Sequence, residues 1–413
     1  MRFIYNCSVY IVSFFLELLA LFSPKLRLFV KGRKNIFSYL NKNINSDSKV
    51  IWVHAASLGE FEQGLPVIEK LKLKYPNHKI LITFFSPSGY EVKKNTPVAD
   101  FVTYLPLDTK KNAEKFIHSA KPELAIFVKY EIWPNYLSVL KNQKIPTLLI
   151  SALFSKKQIF FKSYGTFMKK SLAAFTHFFV QDENSKQLLH TLNFNNISVS
   201  GDTRFDRVLE ILESDNYLEF IAKFKGEYFC LVAGSTWPED ESILINFINS
   251  STEPIKYILA PHAIKKEAIK NLASSIHKKT ILYSELKNQD LSKYDVFIID
   301  TIGILTKIYS YANIAYVGGG FETGLHNTLE PAVFGIPVLI GPKFIGFKEA
   351  EELVAKKGII VIKDTNSFTD EMSKLLNSSE HYNTTSEINK NYISKNQGAT
   401  NQILSYIEKL LYP

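Results

Sequence analysis

From Lys49 onward the chain alternates between short runs of β-branched and aromatic residues and stretches of helical length. The first series lies at 49–54 (KVIWVH), 79–84 (KILITF), 101–105 (FVTYL), 124–128 (LAIFV), 146–150 (PTLLI), 176–180 (THFFV) and 197–200 (ISVS). A second occupies 228–233 (YFCLVA), 256–260 (KYILA), 279–283 (KTILY), 295–299 (DVFII), 313–317 (NIAYV), 337–340 (PVLI) and 358–362 (GIIVI). Apolar runs joined by helical crossovers specify parallel strands covered by helices. The polar stretch 201–227 carries no strong strand, so the economical reading is two Rossmann-like domains with a hinge there. A length of 413 residues suits that division. Ligands in such sheets sit beyond the carboxyl ends of the strands, and in a pair of facing domains those ends line the cleft. The residues just after each strand are therefore where chemistry is expected.

Lys and Arg number 49 against 40 Asp and Glu, a net charge of +9. That excess points to nucleic acid, an anionic membrane or acidic substrates. Zinc-finger spacing, an RNP-like aromatic strand and a long basic run are all missing, which disfavours nucleic acid. Two cysteines, Cys7 and Cys230, make neither a disulfide framework nor a structural zinc site, so the body reads as cytoplasmic. The segment Phe3 to Phe22 (FIYNCSVYIVSFFLELLALF) is long and apolar enough to cross a bilayer, although Asn6 and Glu17 interrupt it. Lys25, Arg27, Lys31, Arg33 and Lys34 follow it, against Arg2 ahead, a bias that puts the body on the cytoplasmic side. A helix lying in the membrane interface and a buried helix are the alternatives.

Six strand ends carry residues suited to chemistry. Ser57-Leu58-Gly59-Glu60, after the first run, has the S-x-x-E form of a capping box, and taken alone that favours a structural Glu60. Gly59 gives a ligand close access to the backbone, and Glu60 lies where the strand opens on the expected cleft. Glu131, in Tyr130-Glu131-Ile132-Trp133-Pro134, is either a helix-start carboxylate or a second acid–base group at a strand end. Gly201 to Asp206 (GDTRFD) sets Arg204 between two acids, where a surface ion pair is the plain alternative. Ala260-Pro261-His262 and Asp300-Thr301-Ile302-Gly303 follow strands of the second series. The strongest local signal is the segment NIAYVGGGFETGLHNTLEPAVFGIPVLIGP, in which Gly318 to Gly320 close a strand and His326 to Glu330 open a helix. Backbone N–H groups behind such a loop suit a phosphate, and Glu330 suits ribose hydroxyls. The segment is neither a Walker loop nor a dinucleotide fingerprint. The acidic trio Glu239-Asp240-Glu241 reads as a helix start. With no D-x-D pair and no histidine cluster, no bound metal is indicated.

Assembled, the motifs resemble those of the 3-deoxy-D-manno-octulosonic acid (Kdo) transferases of lipopolysaccharide synthesis. The elements that carry the resemblance are HAASLGE, TFFSPSGYE, KYEIWPN, GDTRFD, AGSTWPEDE, APH, DTIG, the glycine segment above and NQGA near the end, together with the apolar amino terminus. The resemblance implies an α/β GT-B fold of two facing Rossmann-like domains with a membrane-associated amino-terminal helix. Its parts would be an anchor with basic flank at 1–34, an acceptor domain at 35–205, a nucleotide-sugar domain at 206–398 and a terminal helix at 399–413. It implies a CMP-Kdo donor and a lipid A precursor (lipid IVA) acceptor. The anomeric centre would invert at the cytoplasmic side of the inner membrane, with no cofactor or metal. By motif, Glu60 matches the general base, and Glu131 and Arg204 match transition-state stabilisers. Pro261, His262, Ile302, Gly303, Ile304, Asn327, Thr328, Leu329 and Glu330 match the segments that hold CMP. Family members commonly have Lys at Arg204, Arg at His262 and Glu at Ile304. A GT-B enzyme using a UDP-sugar, or a non-catalytic membrane-bound nucleotide sensor, are the rival readings.

Overall fold

The computed structural model describes residues 1–286, 289–322 and 324–412. The chain divides into two compact units, one of Met1–Arg207 with Gln397–Pro413, the other Val208–Asn396. Each of the fourteen expected runs forms a strand. In the first unit these are β1 (Lys49–Ala55), β2 (His78–Phe84), β3 (Phe101–Tyr104), β4 (Pro122–Val128), β5 (Thr147–Ala152), β6 (His177–Val180) and β7 (Ile197–Val199). In the second they are β8 (Phe229–Thr236), β9 (Ile255–Pro261), β10 (Thr280–Leu282), β11 (Val296–Ile298), β12 (Ile314–Val317), β13 (Val338–Ile340) and β14 (Ile359–Val361). The sheets are ordered β3-β2-β1-β4-β5-β6-β7 and β10-β11-β9-β8-β12-β13-β14, and every strand pair is parallel.

Strand alternation builds the cores. In β1, Val50 and Trp52 join one cluster with Leu81, Phe127 and Phe178, while Ile51 and Val53 join the opposite one with Ile82, Ile126 and Phe179. Both faces are covered, which is why the strands read as continuous apolar runs and not as alternating ones. Chain order reverses between β1 and β4 in the first sheet and between β8 and β12 in the second. A crevice opens at such a point, because crossovers leave on opposite faces.

The terminal helix Ala399–Leu411 belongs to the first unit: Ile403, Leu404 and Ile407 enter the cluster around β1 and β2. Asp206 accepts the N–H groups of Gly398 and Thr400, both at 2.6 Å. Gly398 takes φ +102°, a conformation open to glycine, so the NQGA motif is a helix start tied to GDTRFD across the sequence.

Three helices precede β1: α1 (Arg2–Leu19), α2 (Pro24–Lys31) and α3 (Ile36–Asn43). Polar residues along one side of α1 fasten its amino-terminal end to the first unit. The Tyr5 hydroxyl donates to Asp108 at 2.6 Å, Asn135 donates to Asn6 at 2.9 Å and Arg2 donates to Ser138 at 3.2 Å. The other side, with Phe3, Ile4, Ile11, Phe14, Phe15 and Leu18, is exposed. At about 1.5 Å per residue an 18-residue helix is long enough to cross a bilayer.

Two of the five basic residues after α1 are tied to backbone carbonyls, Arg33 half-buried and Arg27 exposed. Arg33 donates to the carbonyls of Leu105, Phe29 and Phe85 at 2.9, 2.8 and 2.6 Å, with its guanidinium 3.6 Å from the Phe29 ring centroid. Arg27 donates to the carbonyls of Ala20 and Leu21 at the end of α1.

Candidate functional site

The helix α4 (Leu58–Lys74) begins directly after β1, and the capping box expected at its start is present. Ser57 N–H donates to Glu60 Oε2 at 3.0 Å, and Glu60 N–H reaches Ser57 Oγ at a long 3.5 Å. Glu60 is half-buried at the reversal between β1 and β4. Burial, and then the charge of Glu131, hold its proton more tightly than an ordinary glutamate; His54 and the Ala56 and Ser57 N–H groups oppose them. Glu60 is thus both a cap and a carboxylate with raised proton affinity.

Glu131 follows β4, after Lys129 at φ 65°, a left-handed conformation that turns the chain back on itself. It is buried and hydrogen-bonded within a cluster that sequence reading missed. His54 Nε2 lies 3.0 Å from Glu131 Oε2, and Trp133 Nε1 donates to the same oxygen at 2.7 Å. On the far side of the ring, His54 Nδ1 lies 3.1 Å from the Thr83 carbonyl and 2.8 Å from its hydroxyl, which also accepts from Trp52 Nε1 at 2.8 Å. His54 is fully buried near the end of an interior strand, where an apolar residue would be the norm. That anomaly was the available signal.

Arg204 opens the helix Arg204–Glu213, and its Nε and Nη2 donate to Asp202 Oδ2 at 3.0 and 2.8 Å. Gln63 of α4 donates to the same oxygen at 3.1 Å, and Thr203 Oγ donates to the Gln63 carbonyl. The expected pair of flanking acids splits: Asp202 binds Arg204, whereas Asp206 caps the terminal helix. Tyr130 reports how close these groups lie: burial, Glu60 and Asp202 raise its proton affinity and Arg204 lowers it. Glu60, Glu131 and Arg204 therefore gather at one end of one sheet.

In the second unit the glycine segment ends β12 beside β8. A Cβ on Gly318 would lie 2.3 Å from the Ser235 carbonyl oxygen, and one on Gly320 2.7 Å from Gly341 N, so the backbones approach as only glycine allows. Asp240 holds this corner. Fully buried, it accepts from Trp237 N–H at 2.9 Å, Gly319 N–H at 2.9 Å and the Tyr316 hydroxyl at 2.6 Å. The acidic trio does start a helix, Pro238–Ser250, but its middle member also ties two strand ends together.

Pro261 is the last residue of β9, and His262 N–H donates to the Thr236 carbonyl at 2.9 Å. The His262 ring stacks on Trp237 at 4.7 Å and on His326 at 4.5 Å. Trp237 Nε1 donates to His326 Nε2 at 3.1 Å, which requires a lone pair on that nitrogen; burial and the neighbouring His262 both lower the proton affinity of His326. Sequence reading singled out neither Trp237 nor the stack. Ile302 and Gly303 are exposed in the loop after β11, and Ile304 precedes the one-turn helix Leu305–Ile308. The helix expected after Asn327 is a single turn too, Leu329–Ala332, so its dipole is small, and Asn327 Oδ1 already takes the Leu329 N–H at 3.1 Å. Asn327 Nδ2 and Thr306 Oγ1 both donate to Glu330, at 3.0 and 3.3 Å, which joins this turn to the loop after β11. The hydroxyl of Thr328 is buried without a partner among the described residues. Thr323, within the glycine segment, lies outside them. Among the described residues no group of three or more His, Cys, Asp or Glu is placed to hold a metal.

Residues 31–207 match the family model described as 3-deoxy-D-manno-octulosonic-acid transferase (kdotransferase). A 3-deoxy-D-manno-octulosonic acid transferase of Aquifex aeolicus is 30% identical over 79% of this chain and 86% of its own. One of Haemophilus influenzae is 25% identical over 96% and 95%. Among solved structures, UDP-GlcNAc 2-epimerase from Neisseria meningitidis superposes with a TM-score of 0.62 at 17% identity, over 87% of this chain and 100% of its own. That likeness concerns the fold alone, GT-B with two parallel sheets. The S-L-G-E cap at the first reversal, the E-x-W-P turn at the end of β4 and relatives spanning nearly the whole chain lead to one assignment: this chain belongs to the Kdo transferases of lipopolysaccharide synthesis.

Proposed function

We propose that the chain moves Kdo from CMP-Kdo to a hydroxyl of a lipid A precursor, with Glu60 as general base. The observation that carries this reading is a half-buried carboxylate with raised proton affinity at the β1–β4 reversal, beside Glu131. A sugar hydroxyl is a poor nucleophile until a placed base removes its proton, and a carboxylate with raised affinity is the better acceptor. Glu131, fixed by His54 and Trp133, sets the field in which Glu60 ionises. Arg204, oriented by Asp202, stabilises negative charge that grows in the transition state. In the second unit, Pro261, His262, Ile302 to Ile304 and Asn327 to Glu330 hold the nucleotide. Glu330 accepts from ribose hydroxyls, and the Trp237–His262–His326 stack supplies ring surface and N–H groups.

The acceptor is a membrane lipid in this reading, and α1 brings the protein to it at the cytoplasmic face of the inner membrane. A helix pinned by its polar side and bare on its apolar side suits the interfacial plane. Phe14→Ser with Phe15→Ser should therefore abolish binding to lipid vesicles, and unchanged binding would reject the anchor.

Incubation with CMP-Kdo and lipid IVA, followed by mass analysis, tests the reaction. Each Kdo transferred adds its mass to the acceptor. Thermal protection by UDP and not by CMP, with no product, would overturn the donor.

A further inference from the structure

A cavity of about 430 Å³ opens at the amino-terminal end of α1, between the helices Pro134–Asn142 and Thr166–Leu172. Arg2, Lys141 and Lys170 line it with Ser138, Asn142 and Thr166, and no carboxylate is part of the lining. The Arg2 guanidinium is not a loose surface charge: Ser138 Oγ and Asn135 Oδ1 receive it at 3.2 and 3.5 Å. Asp108 feels its field, but that carboxylate is engaged by the Tyr5 hydroxyl and by the Asn135 and Tyr136 N–H groups. Three cations and several hydroxyl and amide groups around one opening match a phosphate in charge and in hydrogen-bond sense. Arg takes such a group in a planar fork and Lys as a point charge. The volume exceeds that of a bare phosphate and leaves room for a headgroup with its water. Exposed Phe3 and Ile4 sit on the same end of α1, so an anion seated there would have an apolar surface beside it.

We propose that this cavity receives the phosphate headgroup of an anionic phospholipid, whose acyl chains lie along the uncovered face of α1. The proposal rests on the interfacial reading of α1 given above, which supplies a lipid at this depth. Arg2 and the two lysines set the depth and rotation of the helix in the interface, and the apolar face supplies the affinity that does not depend on headgroup charge.

The test is flotation of the full chain with phosphatidylcholine vesicles, with and without phosphatidylglycerol. The wild type should bind both and bind the anionic vesicles more tightly. Lys141→Ala with Lys170→Ala should lower affinity for the anionic vesicles about 30-fold, roughly fivefold for each lysine near the surface. Binding to neutral vesicles and melting temperature should be unchanged. Lys265→Ala with Lys266→Ala, an exposed pair in the second unit, removes equal charge and should leave the preference intact. An equal loss in that control would mean net charge alone is read and would overturn the cavity. A wild type that binds neutral and anionic vesicles alike would also overturn it while sparing the membrane reading, whereas a wild type that binds neither refutes the membrane reading itself. Loss of inorganic phosphate binding in the Lys141, Lys170 variant, with vesicle binding untouched, would assign the cavity to free anions and reject the lipid.

Discussion

Replacing Glu60 with Gln separates the cap from the base, because the two roles make opposite demands on the side chain. The amide oxygen of Gln still accepts from Ser57 N–H, so the 3.0 Å cap contact survives without its charge-assisted part, a loss of about 0.5–1 kcal/mol. A second effect runs the other way. Glu60 binds its proton more tightly in the folded chain than in the unfolded one, so the native state holds more protons above the ordinary glutamate range. Its ionisation therefore costs stability, and that cost grows as pH rises through the raised value. Gln removes it. The two changes oppose, so net stability at neutral pH should move by less than about 1 kcal/mol, roughly 2–4 °C in Tm. Turnover should fall by about 10²–10⁴, or about 2.7–5.5 kcal/mol of barrier, because an amide cannot take the acceptor proton. The assay is Kdo transfer to lipid IVA as a function of pH, with Tm from the same preparation. In the wild type the rate should drop as pH falls through the raised Glu60 value, and the variant should have lost that limb. Near-normal turnover with a lowered Tm would leave Glu60 as a cap only and move the search for the base to Glu131.

Three further outcomes follow from the geometry. Glu330→Ala should weaken CMP binding by about 1–3 kcal/mol in calorimetric titration with little change in acceptor affinity, and an unchanged Kd in a folded variant would remove Glu330 from the nucleotide site. Asp240→Ala strands the Tyr316 hydroxyl and the Trp237 and Gly319 N–H groups in a buried corner, so the loss should exceed about 3 kcal/mol; a denaturation midpoint close to wild type would refute that accounting. Asp206→Ala uncaps the helix Ala399–Leu411, at a cost of about 1 kcal/mol, and hydrogen exchange should quicken in that helix first.

The placement of these perturbations shows where sequence reading reaches and where it stops. The strands were legible from their residues because a parallel strand covered on both faces must be apolar along its length, a property of consecutive positions. The capping box at Ser57 and Glu60 was legible for the same reason, since its two halves lie three residues apart. Gly318 to Gly320 announced a close approach of backbones, though not what approaches. His54, Thr83, Glu131 and Trp133 could not be assembled this way. Their meeting depends on β1 lying between β2 and β4, in the register that sets His54 opposite Thr83 and Phe127. The same holds for Asp206, whose partners at Gly398 and Thr400 lie at the far end of the chain. It holds for Arg33, which counts as a membrane-side charge in one dimension and is a tie between carbonyls in three. Composition made α1 long and apolar enough to span a bilayer, and only the bonds of Arg2, Tyr5 and Asn6 to the folded unit laid it against the body. Local pattern determines which elements form, because backbone geometry repeats over two to four residues. Which side chains meet is decided by strand order and register, through contacts between residues that no local pattern relates.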